Sequence, residues 1–479
     1  MAPPLPQEAT STQSTQSVSL HGLERFATIV PQGSMKIAHV MQLSGDVAVL
    51  RERIHDAMLF TANKHPRLRG KQSETAFATV DVMPALTLDE VQDLVVFKQF
   101  RTTTEWRTFV QTECDVQFDR DTQLPFSVVV ATELSTPDQA KLILFTDHYL
   151  SDGKSGMVVL NDIVTQVANP SPVPPTELPL HASVYELWWS GCKWKRSLAE
   201  WFMRRVGSTA MKRLRCTPTL PFREDRPAFW SPVTTNSSTA MFRAGTSANQ
   251  KAALQKCRDE GVTFFGAMVA ATVISYYHTA RKSNMANEMI SKDGRFRLLM
   301  EVDFDSRLTK IRLTTRFWDF ARLAKQETEK VVKSLGMNIP LLFLDQKLHA
   351  RTTQDELDHI TKQSLLCDVN LSNVGKYDFP TWHQVSSASS SKAATTLSID
   401  NLWVYNNLPT LCAGGIFFVT SVNGFNYSFC HTYESTTAES LFSTFVACVE
   451  SLASVPAVAT LEVVANVLRR GHLAHIAST

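Results

Sequence analysis

Leu142-Ile143-Leu144-Phe145-Thr146-Asp147-His148-Tyr149-Leu150-Ser151-Asp152-Gly153 is the stretch on which the reading of this chain turns. Four consecutive apolar residues after the polar Pro137-Asp138-Gln139 predict a buried strand. Beyond the glycine, Met157 to Leu160 runs into Asn161-Asp162-Ile163-Val164 with apolar positions at helical spacing. A His and an Asp four apart are therefore expected in a strand-to-helix turn, where a rigid scaffold can present functional side chains. Imidazole, with an ordinary pKa of roughly 6.5, is the side chain suited to accept a proton at neutral pH. Gly153-Lys154-Ser155 imitates the tail of a phosphate-binding loop, but His148 stands where the required earlier glycine would be. Gly-x-Ser-x-Gly, His-Glu-x-x-His and Gly-x-Gly-x-x-Gly are all absent from the sequence.

At 479 residues the chain is too long for one typical core and suits two domains of roughly 200 residues each. A hydrophobic fraction of 44% with 20% charged residues is that of a folded globular protein. The net charge of +2 gives no sign of nucleic-acid binding, and no dense basic tract stands out. Eight cysteines are scattered without the two-to-four spacing of zinc sites, so no metal is predicted and reduced thiols in the cytoplasm are expected. Residues 1–17, rich in Pro, Ser, Thr and Gln, read as a disordered leader and not a signal peptide. Val262 to Tyr277 is about a turn short of a membrane span and carries hydroxyl side chains, so it reads as a core helix capped by Thr263.

Asp46 to Asn63 predicts a helix with Asp46 as its cap, ended by His65-Pro66. A strand is expected near residues 125–132 and a short helix from Trp106 to Cys114. The helix predicted from Ser183 to Arg205 carries Trp188, Trp189, Trp194 and Trp201 at a spacing that suits core packing. Residues 216–238, with four prolines, form the expected linker. After it come helices at 249–258 and 318–335, a strand at 296–304, a Ser/Ala loop at 386–396, three strands between 397 and 433, and a helix at 438–454. Strands and helices in both halves predict α/β or α+β layers, divided into residues 18–215 and 239–479.

Several of these segments, taken in order over roughly residues 20 to 460, resemble the HxxxD acyltransferases: chloramphenicol acetyltransferase-like enzymes, alcohol acetyltransferases, polyketide-associated acyltransferases, plant BAHD enzymes and peptide-synthetase condensation domains. The resemblance is carried by His65-Pro66-Arg67-Leu68-Arg69, by Asp147-His148 through Gly153, by Thr263 to Ala267 with Val302-Asp303 through Arg307-Leu308, and by Leu371-Ser372-Asn373-Val374-Gly375. Two departures stand out. Many members have a second histidine where this chain has Asp147, and relatives often carry an arginine where it has Asp305.

The resemblance implies two subdomains meeting across a channel, with His148 at its middle as general base. It implies a structural Asp152 paired with an arginine, for which Arg307 is the candidate, and an oxyanion donor from the Gly153 amide or the Ser372–Gly375 segment. Ser372, Asn373 and Gly375 are candidate substrate contacts, although Asn373 and Gly375 read more simply as a turn. His65 reads as a helix-end residue, and Trp403 and Tyr405 as core. The expected reaction moves an acyl group from acyl-CoA, a co-substrate and not a bound cofactor, to an alcohol or amine, in a monomer. Two alternatives stay open: a non-catalytic acyl-ligand or partner-binding protein of the same fold, and a carrier-protein-dependent condensation enzyme.

Overall fold

The computed structural model describes residues 16–29, 35–73, 79–183, 220–225, 238–298, 300–302, 306–308, 311–333, 367–386, 395–407 and 413–469, with single positions at 186, 194, 197, 198, 201 and 205. The first half runs β1 (Ser17–Ser19), α1 (Gly22–Ile29), β2 (Lys36–Gly45), α2 (Ala48–Lys64), β3 (Gly70–Gln72), β4 (Thr79–Val82), α3 (Leu88–Gln92), β5 (Val95–Phe100), α4 (Glu105–Asp115), β6 (Phe126–Glu133), β7 (Thr136–Asp147) and α5 (Gly153–Ala168). The second runs β8 (Thr239–Ala244), α6 (Ser247–Asp259), α7 (Phe264–Lys282), α8 (Ala286–Met289), β9 (Met300–Val302), β10 (Ser306–Leu308) and α9 (Phe317–Lys333). It continues with β11 (Cys367–Lys376), β12 (Trp382–Val385), β13 (Thr395–Asn406), β14 (Ala413–Ser421), β15 (Phe425–His431), α10 (Ser435–Glu450) and α11 (Leu461–Arg469).

Two six-stranded sheets organise the molecule, in the orders β12-β13-β2-β7-β6-β5 and β10-β9-β11-β14-β15-β8. The apolar run of β7 explains the first. Leu142 and Leu144 pack into the core that α2 and α5 share with the sheet, while Ile143 and Phe145 enter the core between the sheets. Both faces are covered, so no polar alternation survives in the sequence. Each of the four side chains is fully buried, contributing about 1.5–3 kcal/mol. β12 and β13, from residues beyond 380, pair onto β2, so the second half of the chain lends two strands to the first sheet.

The second sheet is covered by α7, α9, α10 and α11. Thr263 accepts from the Gly266 amide at 3.1 Å and caps α7, the buried helix expected from the sequence. The cap expected of Asp46 is not formed: α2 begins after Val47, and the Asp46 carboxylate accepts instead from Thr395 on β13. Between the sheets, Trp106 of α4 meets Trp403 and Phe242 with centroid separations of 5.1 and 4.8 Å, and Tyr405 is fully buried beside them. Trp403 and Tyr405 are core, as read from the sequence.

Candidate active site

The turn between β7 and α5 is fixed by its backbone. The Asp147 amide donates to Pro125 O at 2.9 Å, that of His148 to Met35 O at 2.8 Å, and that of Leu150 to Asp147 O at 3.0 Å. α5 then starts in a way that assigns Asp152 a definite task. Its carboxylate accepts from the Lys154 and Ser155 amides at 3.1 and 2.7 Å and from the Ser155 hydroxyl at 2.5 Å, a helix N-cap. Burial pushes this carboxyl up, but the Ser155 hydrogen bonds and the neighbouring imidazoles outweigh it and hold it below the usual range. The Gly156 amide takes the Asp152 carbonyl, which leaves the Gly153 amide as the first-turn N–H without a partner among the described residues. Arg307 falls in β10, but its side chain, like Asp303 and Asp305, lies outside the described residues.

His148 is half-buried and lines a cavity of about 360 Å³. Asp152, Gly153 and Lys154 form one side of it, Asn370 to Val374 of β11 a second, and Asn406, Ile416 and Phe418 reach it from β13 and β14. Burial lowers the His148 pKa, opposed by the carbonyls of His148 and Ser151 and by the charge of Asp152, so the ring is neutral at pH 7. A larger cavity of about 820 Å³ opens beside Lys36, Gln117 and Phe118, and His148 is not among its walls.

Of the residues singled out by sequence, His148, Asp152, Gly153, Ser372 and Asn373 meet at this one cavity. Gly375 lies just past its wall. Residues 371–375 are a strand and not a turn: they end β11, which pairs in parallel with β9 and β14 and slips register between Asn373 and Gly375. Gly375, at φ +95°, takes up the bulge. Gly153 has a packing reason to be glycine, since a Cβ there would lie 2.7 Å from Val374 Cγ1. His65, the helix-end residue of the sequence reading, joins α2 to α5 through Asp162 Oδ2 at 2.7 Å. Arg69 closes α2 by donating to the carbonyls of Ala62 and Asn63.

Three residues at the site escaped the sequence: Arg120, His39 and Asn406. Asp147, the departure from the two-histidine pattern, is fully buried and accepts from Arg120 Nε and Nη2 at 2.9 and 2.8 Å. Arg120 also donates to Ala27 and Thr28 at the end of α1. Burial lifts the Asp147 carboxyl to about 6 even against this guanidinium.

His39, fully buried on β2, donates through Nε2 to the Gly153 carbonyl at 3.0 Å, and its pKa falls to about 4, chiefly by burial. Gly156 makes room for it, because a Cβ there would sit 2.1–2.4 Å from the ring. Asn406 lines the cavity at 2% exposure with no hydrogen-bond partner for its Oδ1. A strand reading of residues 36–45 would have buried His39 without linking it to the turn 114 residues on, and nothing in the local sequence marks Asn406.

Five cysteines are described, at 114, 257, 367, 430 and 448, and all are buried. No three metal-ligating side chains cluster among the described residues. No helix among them is long and apolar enough to cross a membrane.

No protein-family model matches the chain, and no curated protein matches it in sequence. Solved structures do match along nearly its whole length. The trichothecene 15-O-acetyltransferase TRI3 of Fusarium sporotrichioides superposes with TM-score 0.63 at 10% identity, over 94% of this chain and 99% of that one. The first condensation domain of the calcium-dependent antibiotic synthetase gives 0.59 at 11%, over 94% and 98%. The wax ester synthase/diacylglycerol acyltransferase of Marinobacter aquaeolei VT8 gives 0.53 at 15%, over 91% and 100%. Two sheets, a buried turn carrying His148 between them and this structural likeness lead to one conclusion: the chain adopts the chloramphenicol acetyltransferase-like fold of two subdomains.

Proposed function

We propose that the protein is an acyl-CoA-dependent acyltransferase that uses His148 as general base on a hydroxyl or amine acceptor. The observation that carries this reading is the His148 imidazole on the wall of a cavity built from both sheets, with the helix N-terminal amide of Gly153, without a partner among the described residues, on the same wall. An alcohol is a poor nucleophile until its proton is removed. His148 takes that proton as the acceptor oxygen or nitrogen attacks the thioester carbonyl, and the carbonyl electron pair moves onto its oxygen. Collapse of the tetrahedral species breaks the carbon–sulfur bond, and the proton passes from His148 to the leaving thiolate. Such base help is worth roughly 10²–10⁴ in rate, with positioning adding more. The Gly153 amide is the candidate donor to the oxyanion. Asn406, with an orphaned acceptor on the cavity wall, is the candidate contact for a substrate N–H or O–H.

Asp152 acts in this reading through the turn, as the cap that fixes α5 beneath Gly153. The reading invokes no metal or bound cofactor, and takes the protein as a cytoplasmic monomer. Its test is thiol release from a panel of acyl-CoAs offered with alcohols and amines, the same donors being offered on a pantetheinyl carrier protein. Turnover with CoA donors supports the proposal. Turnover with carrier donors alone makes the protein a condensation-type enzyme, the chemistry suggested by its likeness to condensation domains. Thiol release in no pairing favours the non-catalytic alternative that binds an acyl ligand or a partner protein; the similar X-domain of teicoplanin biosynthesis was solved in complex with OxyB.

A further inference from the structure

The tryptophans at 194 and 201 do not pack into the core as their spacing suggested. Trp194 is 68% exposed, Leu198 59% and Trp201 58%. Positions 194, 197, 198, 201 and 205 are all helical and all exposed, whereas Trp188 and Trp189 lie outside the described residues. Positions 194, 198, 201 and 205 are spaced four, three and four apart, the spacing that aligns side chains on one face of a helix. Two indoles and a leucine in a single stripe are the kind of apolar exposure that monomeric surfaces rarely carry without a purpose.

The sequence here is also locally basic, which corrects the expectation of no dense basic tract. Residues 193–215 hold eight Lys and Arg against the single Glu200, a net +7 in a chain whose total is +2. A sequence-wide count hides this because the rest of the chain is net acidic. Arg205 follows the stripe directly, its guanidinium 6.0 Å from the Trp201 ring centroid.

From these observations we infer that the 194–205 face is a docking surface for an anionic lipid bilayer. Indole and leucine side chains enter the headgroup–acyl boundary, where an amphipathic ring finds both an apolar and a wet neighbour. Arg205 beside the stripe, in a stretch of sequence with net charge +7, supplies the attraction to acidic headgroups. Leucine at the centre of the stripe favours lipid over single-stranded nucleic acid, which would be gripped by aromatic rings and cations alone. The inference stands apart from the acyl-transfer proposal, because Trp194, Leu198 and Trp201 are not on the wall of the His148 cavity.

The test is co-sedimentation of the full chain with phosphatidylcholine vesicles with or without about one-third phosphatidylserine, at low and high salt. The expected result is binding to the acidic vesicles, weakened by salt, with a blue shift of tryptophan emission. Leu198→Glu with Trp201→Glu should lower the partition coefficient roughly tenfold or more, with an unchanged circular dichroism spectrum because both side chains face solvent. Absence of binding to acidic vesicles overturns the inference. So does binding that the double substitution leaves intact. Light scattering that shows a dimer abolished by the same substitution, without vesicle binding, would assign the face to a second copy of the chain and equally overturn it.

Discussion

The two flanks of His148 bury ionisable groups in opposite ways. On the β7 side, Asp147 is kept as half of an ion pair, with the Arg120 guanidinium folded over its carboxylate and over the Tyr149 ring at 5.4 Å. On the α5 side, His39 is kept without charge, and a glycine opposite its ring supplies the space. The first flank tolerates a charge because it supplies a countercharge; the second avoids one because Nε2 finds a carbonyl while Nδ1 finds no partner. Between them His148 keeps a lowered pKa while remaining open to a cavity, the condition a general base needs at neutral pH.

The largest effect should come from breaking the ion pair. Arg120→Leu leaves a fully buried carboxylate without its cation and strips two α1 carbonyls of a donor, so urea unfolding should show a loss of about 3–5 kcal/mol. A loss below about 1 kcal/mol would mean that the flank does not depend on the countercharge.

The pH dependence separates the flanks by sign. The unfolded chain protonates a histidine near 6.5, but folded His39 resists until about 4, so this ring's contribution is full above 6.5 and is lost as pH falls through that window. The span amounts to about 3 kcal/mol. Asp147 works the other way: its folded carboxyl takes up a proton near 6, ahead of the unfolded one near 3.8, so acid relieves the burial of its charge. His39→Gln should therefore flatten the fall of stability between pH 6.5 and 4, and Asp147→Asn should steepen it. Parallel changes in both variants would show that the flanks are not opposed.

A smaller effect is expected where α5 packs against β2. Gly156→Ala drives a methyl into the His39 ring and should cost about 1–3 kcal/mol. Adding His39→Ala should recover much of that loss, and a purely additive double mutant would place the strain elsewhere. Smallest is the cap. Asp152→Ala should cost about 1 kcal/mol, whereas Asp152→Asn, which keeps an acceptor for the Lys154 and Ser155 amides, should cost a few tenths. Equal losses in calorimetry would mean that the charge, and not the cap geometry, is what the turn uses.

How much of this was legible in the sequence depended on whether a segment's environment is written in its own residues. β7 was, because a strand covered on both faces is apolar at every position. α7 was, because its cap and its apolar length agree. β11 was not: Asp368, Asn370, Ser372 and Asn373 are poor strand formers, and the parallel neighbours β9 and β14 hold the segment extended where local preference suggests a turn. The contribution of β12 and β13 to the first sheet was equally invisible, since the pairing with β2 spans some 350 residues of chain. The candidate base and its cap could be named because they lie four residues apart in one turn. Arg120, His39 and Asn406 could not, because each reaches that turn from a different strand or loop.

The measurement closest to the central claim is steady-state thiol release by His148→Ala beside the unsubstituted protein, with the donor and acceptor pair that the substrate panel identifies. The account predicts a fall of roughly 10²–10⁴ in turnover with an unchanged unfolding midpoint. Turnover retained at the original rate in the folded variant would contradict it.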